Sequence, residues 1–375
     1  MKKLFYILIF IAGCKEAYNP SLKSLNVGYL VAEGNIVAGN DSTVIHLSRT
    51  TSISDSSNIT NPVTNAAVQI ESEDGQNYQL QDEFDGSYFA PPLNISTNKK
   101  YRVHIFTVDG KEYASDYVPV KISPAIDSVS WKLDSTNGVN IYVNSHDAQG
   151  QTLYYQWKYV ETWQHRATYT SAYVFENGTI RLRTPDEYIT NCWTVLPASS
   201  INISSTTQLA SDIVYEKRLV NIPYGSEKLS IVYSILVEQY ALTKEAFQFW
   251  ENLKKNTEQI GTIFDPQPFA DFGNIHCITN PAEPVIGFIS ASSIEEQRIY
   301  IFKQDLSSWP YRPPLCEVDT LKPGDDITSV ADGGFIPLYE ITIPGTPETG
   351  LLITEPECAD CRVHGGSTIK PPYMP

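Results

Sequence analysis

Runs of four to eight strand-forming residues, each closed by a turn former, are what most restrict the folds open to this chain. Val, Ile, Thr and Tyr recur in stretches such as "LVAEGNIV", "TVIHLSRT", "KKYRVHIFTVDGKEYASDYVPV" and "GVNIYVNSHD", and Gly, Pro, Asn or Asp interrupts each one. Such runs are too short for helices and have the alternation of half-buried strands. Tyr (23) far outnumbers Met (2), and Pro reaches 24, which is the texture of an all-β secreted protein. Asp74-Gly75 and Asp109-Gly110 each lie between two β-rich runs, the strongest short hairpin signal. Residues 25–124 therefore predict an immunoglobulin-like β-sandwich, with a boundary at Pro124–Asp127 and a larger β-rich domain over 125–375.

One helix stands against this background, at about 243–260 in "ALTKEAFQFWENLKKNTEQIG". Ala246, Trp250, Leu253, Thr257 and Ile260 share a face, which Phe247 and Phe249 widen. Thr243 is placed to cap its start, Leu242 and Phe247 to staple it, and Gly261 to end it. The tail from Pro310 reads as loop-rich.

The first residues carry a targeting pattern. Lys2 and Lys3 precede an apolar run, Leu4–Ile11, and then Ala12-Gly13-Cys14. This is a secretory signal followed by a bacterial lipobox, too short to span a bilayer. Residues 1–13 are expected to be removed and Cys14 to be acylated, with 14–24 as a tether and the lipid bilayer as a partner. Lys15-Glu16-Ala17 resembles, in part, the surface-export signal of Bacteroidota lipoproteins, which points to the outer membrane and its external face. A net charge of −16 disfavours nucleic acid and anionic headgroups as further partners.

Chemistry is sparse. None of the six histidines stands in a zinc-protease motif, and neither a nucleophile elbow nor a phosphate loop occurs. No catalytic residue, cofactor or metal site is expected. Tyr155, Trp157, Tyr159, Glu161 and Trp163 alternate along "YYQWKYVETW" and face one way. They form either a core or a sugar-binding platform; in a core, Glu161 needs a partner, for which Arg181 or Arg183 is at hand. Cys358-Ala-Asp-Cys361 with His364 admits disulfides, zinc or redox chemistry, and Arg362 stands where a c-type haem would need His. An oxidising compartment favours two disulfides among Cys192, Cys316, Cys358 and Cys361, with Cys358 and Cys361 each reaching a distant partner. Cys277, between apolar neighbours, fits a buried free thiol.

The lipobox, "YYQWKYVETW", the long segment "YSILVEQYALTKEAFQFWENLKKNTEQIGTIFDPQPFADFGNI", "VIGFISASS" and the terminal "ECADCRVHGGSTIKPPYMP" together resemble a Bacteroidota outer-membrane lipoprotein family, domain of unknown function 4249. The chain ends in Tyr373-Met374-Pro375 where that family often ends in Trp. The resemblance implies a non-enzymatic accessory or substrate-binding partner of a TonB-dependent transporter. A surface hydrolase acting on carbohydrate or peptide is the alternative, resting on Glu161 among its aromatics.

Overall fold

The computed structural model describes residues 28–51, 61–258, 272–306 and 308–375. It is mainly β, with one helix of more than two turns, as the short strand-forming runs require.

The first sandwich packs two antiparallel-rich sheets face to face. One runs Ile289–Ser292, Leu30–Val37, Thr43–Arg49, Ser87–Ala90, Gln81–Asp82; the other runs Ile275–Cys277, Glu112–Ser115, Lys100–Phe106, Ala67–Ser72, Asn77–Gln79. Both Asp-Gly pairs make the expected turns, with Gly75 at φ +92° and Gly110 at φ +79°. Ile45, Val68, Tyr88, Tyr101 and Tyr113 fill the space between the sheets.

This sandwich is not contiguous in sequence, and here the structure departs from the boundary expected at 124–125. Residues 275–292 leave the second half of the chain and return to it. Ile289–Ser292 pairs in parallel with Leu30–Val37, and Ile275–Cys277 pairs with Glu112–Ser115. The physical reason is core completion. Ile275, Cys277, Val285, Ile289 and Ala291 are all buried in the first core, which residues 28–124 alone would leave open along one side.

The return path runs too close to its neighbours for side chains. Gly287 has φ +126°, and a Cβ there would lie 1.9 Å from the carbonyl oxygen of Ala32. Backbone bonds flank the spot: Ile286 N–H donates to Leu30 O and Ala32 N–H to Ile286 O, each at 2.9 Å.

The second sandwich sets the three-stranded sheet Ile126–Leu133, Val139–His146, Ile213–Ile222 against Asn191–Pro197, Tyr154–Arg166, Val232–Ala241, Ile294–Phe302. Asn202–Ser205 extends the second of these along the first residues of Tyr154–Arg166. The helix Lys244–Glu258 closes one end of it. Thr243 Oγ1 accepts from Ala246 N–H at 3.2 Å, as a cap should, and Leu242 packs with Phe247. Ala246 and Phe249 are buried, and Phe249 meets Phe288 of the returning segment at 5.4 Å between ring centres. The stripe's expected end at Ile260 and stop at Gly261 lie outside the described residues.

The tail corrects a second expectation. It is not mostly loop: Val318–Leu321, Thr349–Thr354 and Ile336–Thr342 form an antiparallel sheet. The hairpin Tyr173–Glu176/Thr179–Leu182 packs on it, around Leu321, Leu351 and Ile353. The strands form because Ile, Leu, Thr and Tyr still dominate these runs; Pro337 is tolerated because its strand lies at the sheet edge.

Gly287→Ala should lower stability by about 3 kcal/mol, because both a backbone collision and a positive φ must be relieved. A urea midpoint equal to that of the parent protein, at unchanged slope, would refute the close approach.

Candidate functional site

Tyr154–Arg166 is the centre of the second sandwich, and its alternation sends Tyr155, Trp157, Tyr159, Glu161, Trp163 and His165 inward. Tyr155, Trp157 and Tyr159 are at most 8 % exposed, so these aromatics are core and offer no platform to a sugar. Tyr155 and Trp157 stack with planes 3° apart. Each polar tip finds a buried partner. The Tyr155 hydroxyl donates to Asp212 Oδ1 and Trp157 Nε1–H donates to Gln239 Oε1, both at 2.9 Å. Gln239 in turn donates to Pro124 O at 2.7 Å, so the expected boundary residue is tied into the second core.

Glu161 is buried among these rings, and its partner is not the expected one. Lys228 Nζ lies 2.8 Å from Oε2 and the Tyr233 hydroxyl 2.8 Å from Oε1. Lys228 also sits 4.8 Å from the centre of the Trp163 ring. Arg181 instead binds Glu176 on the separate hairpin and Glu187 in the turn Pro185–Glu187 that follows it, and Arg183 donates to Ser171. The reason is register. Val232–Ala241 pairs with Tyr154–Arg166 so that Tyr233 stands opposite Trp163, one inward position from Glu161, and the turn Glu227–Leu229 lies over the same end. Burial, and then the Glu161 carboxylate, hold the Tyr233 phenol well above its ordinary pKa. Each oxygen of Glu161 thus accepts from a donor held in place by the strand register or by the turn.

The four cysteines nominated from sequence are paired as Cys192–Cys361 and Cys316–Cys358, so both members of the Cys-x-x-Cys reach distant partners. Cys277 is buried and free. The bridges close 169 and 42 residues, worth about 5 and about 4 kcal/mol in the chain-entropy picture. Beyond Cys361 the chain crosses the outer face of the second sandwich. Trp193 and Ser367 exchange backbone bonds at 2.8 and 3.0 Å. The Tyr373 ring lies 3.9 Å from the Arg298 guanidinium carbon, its carbonyl accepts from the Tyr300 hydroxyl at 2.5 Å, and Met374 is buried. This terminal clamp had no sequence signal beyond the aromatic residue itself.

His165 was not singled out from sequence, yet it lies against the Cys192–Cys361 bridge. A Cβ on Gly366 would stand 2.4 Å from its Nε2 and 2.6 Å from the Cys192 Cβ. Its Nε2 meets Thr194 Oγ1 at 3.1 Å, while Nδ1 is buried without a partner among the described residues. Burial lowers its pKa; Glu227 opposes that shift and His364 adds to it. Cys14 and the export signal beside it lie outside the described residues. No group of three or more His, Cys, Asp or Glu among the described residues is arranged to hold a metal ion.

Lys228→Met should destabilise by about 3 kcal/mol, since it strands a buried carboxylate, whereas Glu161→Gln combined with Lys228→Met should recover at least half of that loss. Equal losses in the single and double variants, measured in urea, would exclude the coupling. For His165, the unfolded chain takes up a proton near pH 6.5 and the folded one resists it, so stability should fall as pH drops below 6.5. In His165→Gln that slope should flatten; an unchanged slope between pH 7.5 and 5 (about the span in which histidine titrates) would remove His165 as its source.

Comparison with known proteins places this architecture in a family. None of the curated proteins compared matches the chain. Among solved structures, one titled "Biofilm associated protein - BSP domain" aligns at 6 % identity and a TM-score of 0.16, over 75 % of this chain and 60 % of its own, a likeness too slight to bear on fold or function. A family model does match, over residues 15–298, from just after Cys14 through both sandwiches and the returning segment. The chain therefore belongs to the family described as Domain of unknown function (DUF4249).

Proposed function

We propose that this protein is a lipid-anchored, extracytoplasmic accessory of a TonB-dependent outer-membrane transporter, facing the cell exterior and binding or docking rather than catalysing. The observation that carries the compartment is the pair of long-range disulfides, since such bridges persist where thiols are oxidised and are rare in the cytosol. Lys2-Lys3, the apolar run and Ala12-Gly13-Cys14 supply the route and the anchor. No helix among the described residues is long and apolar enough to cross a membrane, which leaves the acyl chains to hold the protein there.

The transporter partner comes from the family resemblance of the segments quoted above. The non-enzymatic character is supported by the Glu161 geometry: a glycosidase acid needs a second carboxylate across a substrate cleft, whereas Glu161 is buried and saturated by Lys228 and Tyr233. The hydrolase alternative loses with it the residue on which it rested.

Cys14→Ser should abolish labelling by radioactive palmitate and shift the protein from the membrane to the soluble fraction. The parent protein, crosslinked in whole cells and purified in detergent, should bring with it a large outer-membrane barrel at similar abundance. Retained labelling in the variant would sink the anchor, and a protein that crosslinks to nothing would sink the transporter partnership.

A further inference from the structure

The small tail module holds an open apolar pocket of about 350 Å³, formed between the hairpin Tyr173–Glu176/Thr179–Leu182 and the sheet of the tail. Its floor is Ile180, Leu321, Ile327 and Leu351, drawn from the hairpin, the sheet and the short helix Ile327–Asp332. These side chains belong to one hydrophobic cluster, so the pocket is a place where that cluster stays unclosed. Gly350 lines the wall and has no room for more: a Cβ there would meet Thr320 Cγ2 at 2.8 Å and Ile343 Cγ1 at 3.0 Å.

Three charged side chains stand at the mouth, Asp325, Glu340 and Lys322, and all are exposed. Two carboxylates against one ammonium leave the mouth net negative. Hydrogen bonds orient those carboxylates without neutralising them. Glu340 accepts from the Tyr173 phenol, and Asp325 Oδ2 accepts from the Lys322 backbone N–H at 2.7 Å. The mouth has the sign of the whole chain, whose net charge is −16, so the field draws cations to it and repels anions.

Tyr173 lines the same pocket and packs on the same cluster. An aromatic ring beside carboxylates and aliphatic side chains suits a weakly hydrated cation, which the ring attracts and which loses little on leaving water. A cavity of this volume takes a small molecule, and an apolar floor with a few polar groups at the rim is how such sites fix orientation.

We infer that the pocket binds a small, free organic cation, with an aromatic or branched aliphatic body on Ile180, Leu321, Ile327 and Leu351 and a substituted ammonium or guanidinium group at the rim beside Tyr173, Glu340 and Asp325. Lys322 opposes such a ligand and limits its affinity. The site is independent of how the protein is anchored and of what transporter it serves. The disulfide Cys316–Cys358 holds the module's first strand close to the chain that follows its last, so the pocket is built into a covalently closed unit.

The test uses the disulfide-intact protein and three probes that share one ring system: naphthylmethyltrimethylammonium, a cation; naphthalenemethanol, its neutral relative; and naphthylacetate, an anion. Isothermal titration calorimetry should show the cation binding saturably at one site, the alcohol more weakly and the anion most weakly. Glu340→Gln should weaken the cation by about threefold, within the scale of one lost exposed ion pair, and leave the alcohol unchanged. Lys322→Gln should strengthen the cation by a similar factor. Ile180→Gln should weaken cation and alcohol alike, because it spoils the shared apolar floor. Near-ultraviolet circular dichroism on each variant keeps a folding defect from passing as lost binding, and Ile180→Thr replaces an Ile180→Gln that loses the signal. Absence of saturable binding, an anion bound as tightly as the cation, a cation affinity indifferent to residues 340 and 322, or binding that survives the Ile180 substitution in a folded variant would each overturn the proposal.

Discussion

The structure depends on the parallel pairing of Ile289–Ser292 with Leu30–Val37. A parallel ladder cannot be closed by a tight turn, so the chain must build a whole intervening layer before it comes back. That layer is most of the second sandwich together with its helix. The pairing therefore joins the two sandwiches more firmly than a linker could. Ser292 ends the strand in the first sandwich, and Ile294 begins one in the second. With Gln239 donating to Pro124 O, a buried amide and the crossings at 124–126 and 292–294 fix the junction, and the entropy of closing so long a loop is recovered only when both cores are in place.

Much of this was legible in the residues. The strands, both Asp-Gly turns and the capped amphipathic helix follow from local signals that burial reinforces. The return of 275–292 was not, because nothing local distinguishes a strand that pairs with its neighbour from one that pairs across some 250 positions, the order of the separation between Asn35 and Ser292. The residues of Ile289–Ser292 favour a strand and say nothing about its partner. The tail was misread for another reason: Pro310, Pro313, Pro314 and Pro337 hid the strand-forming runs that lie among them. A signal was available there, since Asn177-Gly178 takes positive φ at both residues and makes the hairpin on which the tail sheet rests.

The site residues divide along the same line. That the aromatic strand is core follows from its polar opposite face, and the disulfides from compartment and tail composition. The partner of Glu161 was missed because ion pairing is settled by register between distant strands, and Lys228 sits in a short turn with no pattern of its own. His165 was missed because a lone histidine carries no motif; only Gly366 and the disulfide beside it reveal how tightly it is held. The second sandwich keeps Glu161 paired and Tyr155, Trp157 and Tyr159 inside, and the tail adds a disulfide-closed module and a clamped terminus.

Cys277 gives the order of synthesis a chemical meaning. Among the described residues, Cys192 emerges first and Cys277 next, before Cys316, Cys358 and Cys361. During that interval the thiol of Cys277 is the nearest available partner for Cys192, and a bridge between them would be wrong. Pairing of Ile275–Cys277 with Glu112–Ser115 buries that thiol in the first sandwich, whose remaining strands are already made or follow within a few residues. The returning segment thus withdraws the odd thiol early, so that Cys192 meets one wrong partner fewer before Cys361 arrives at the far end of the chain.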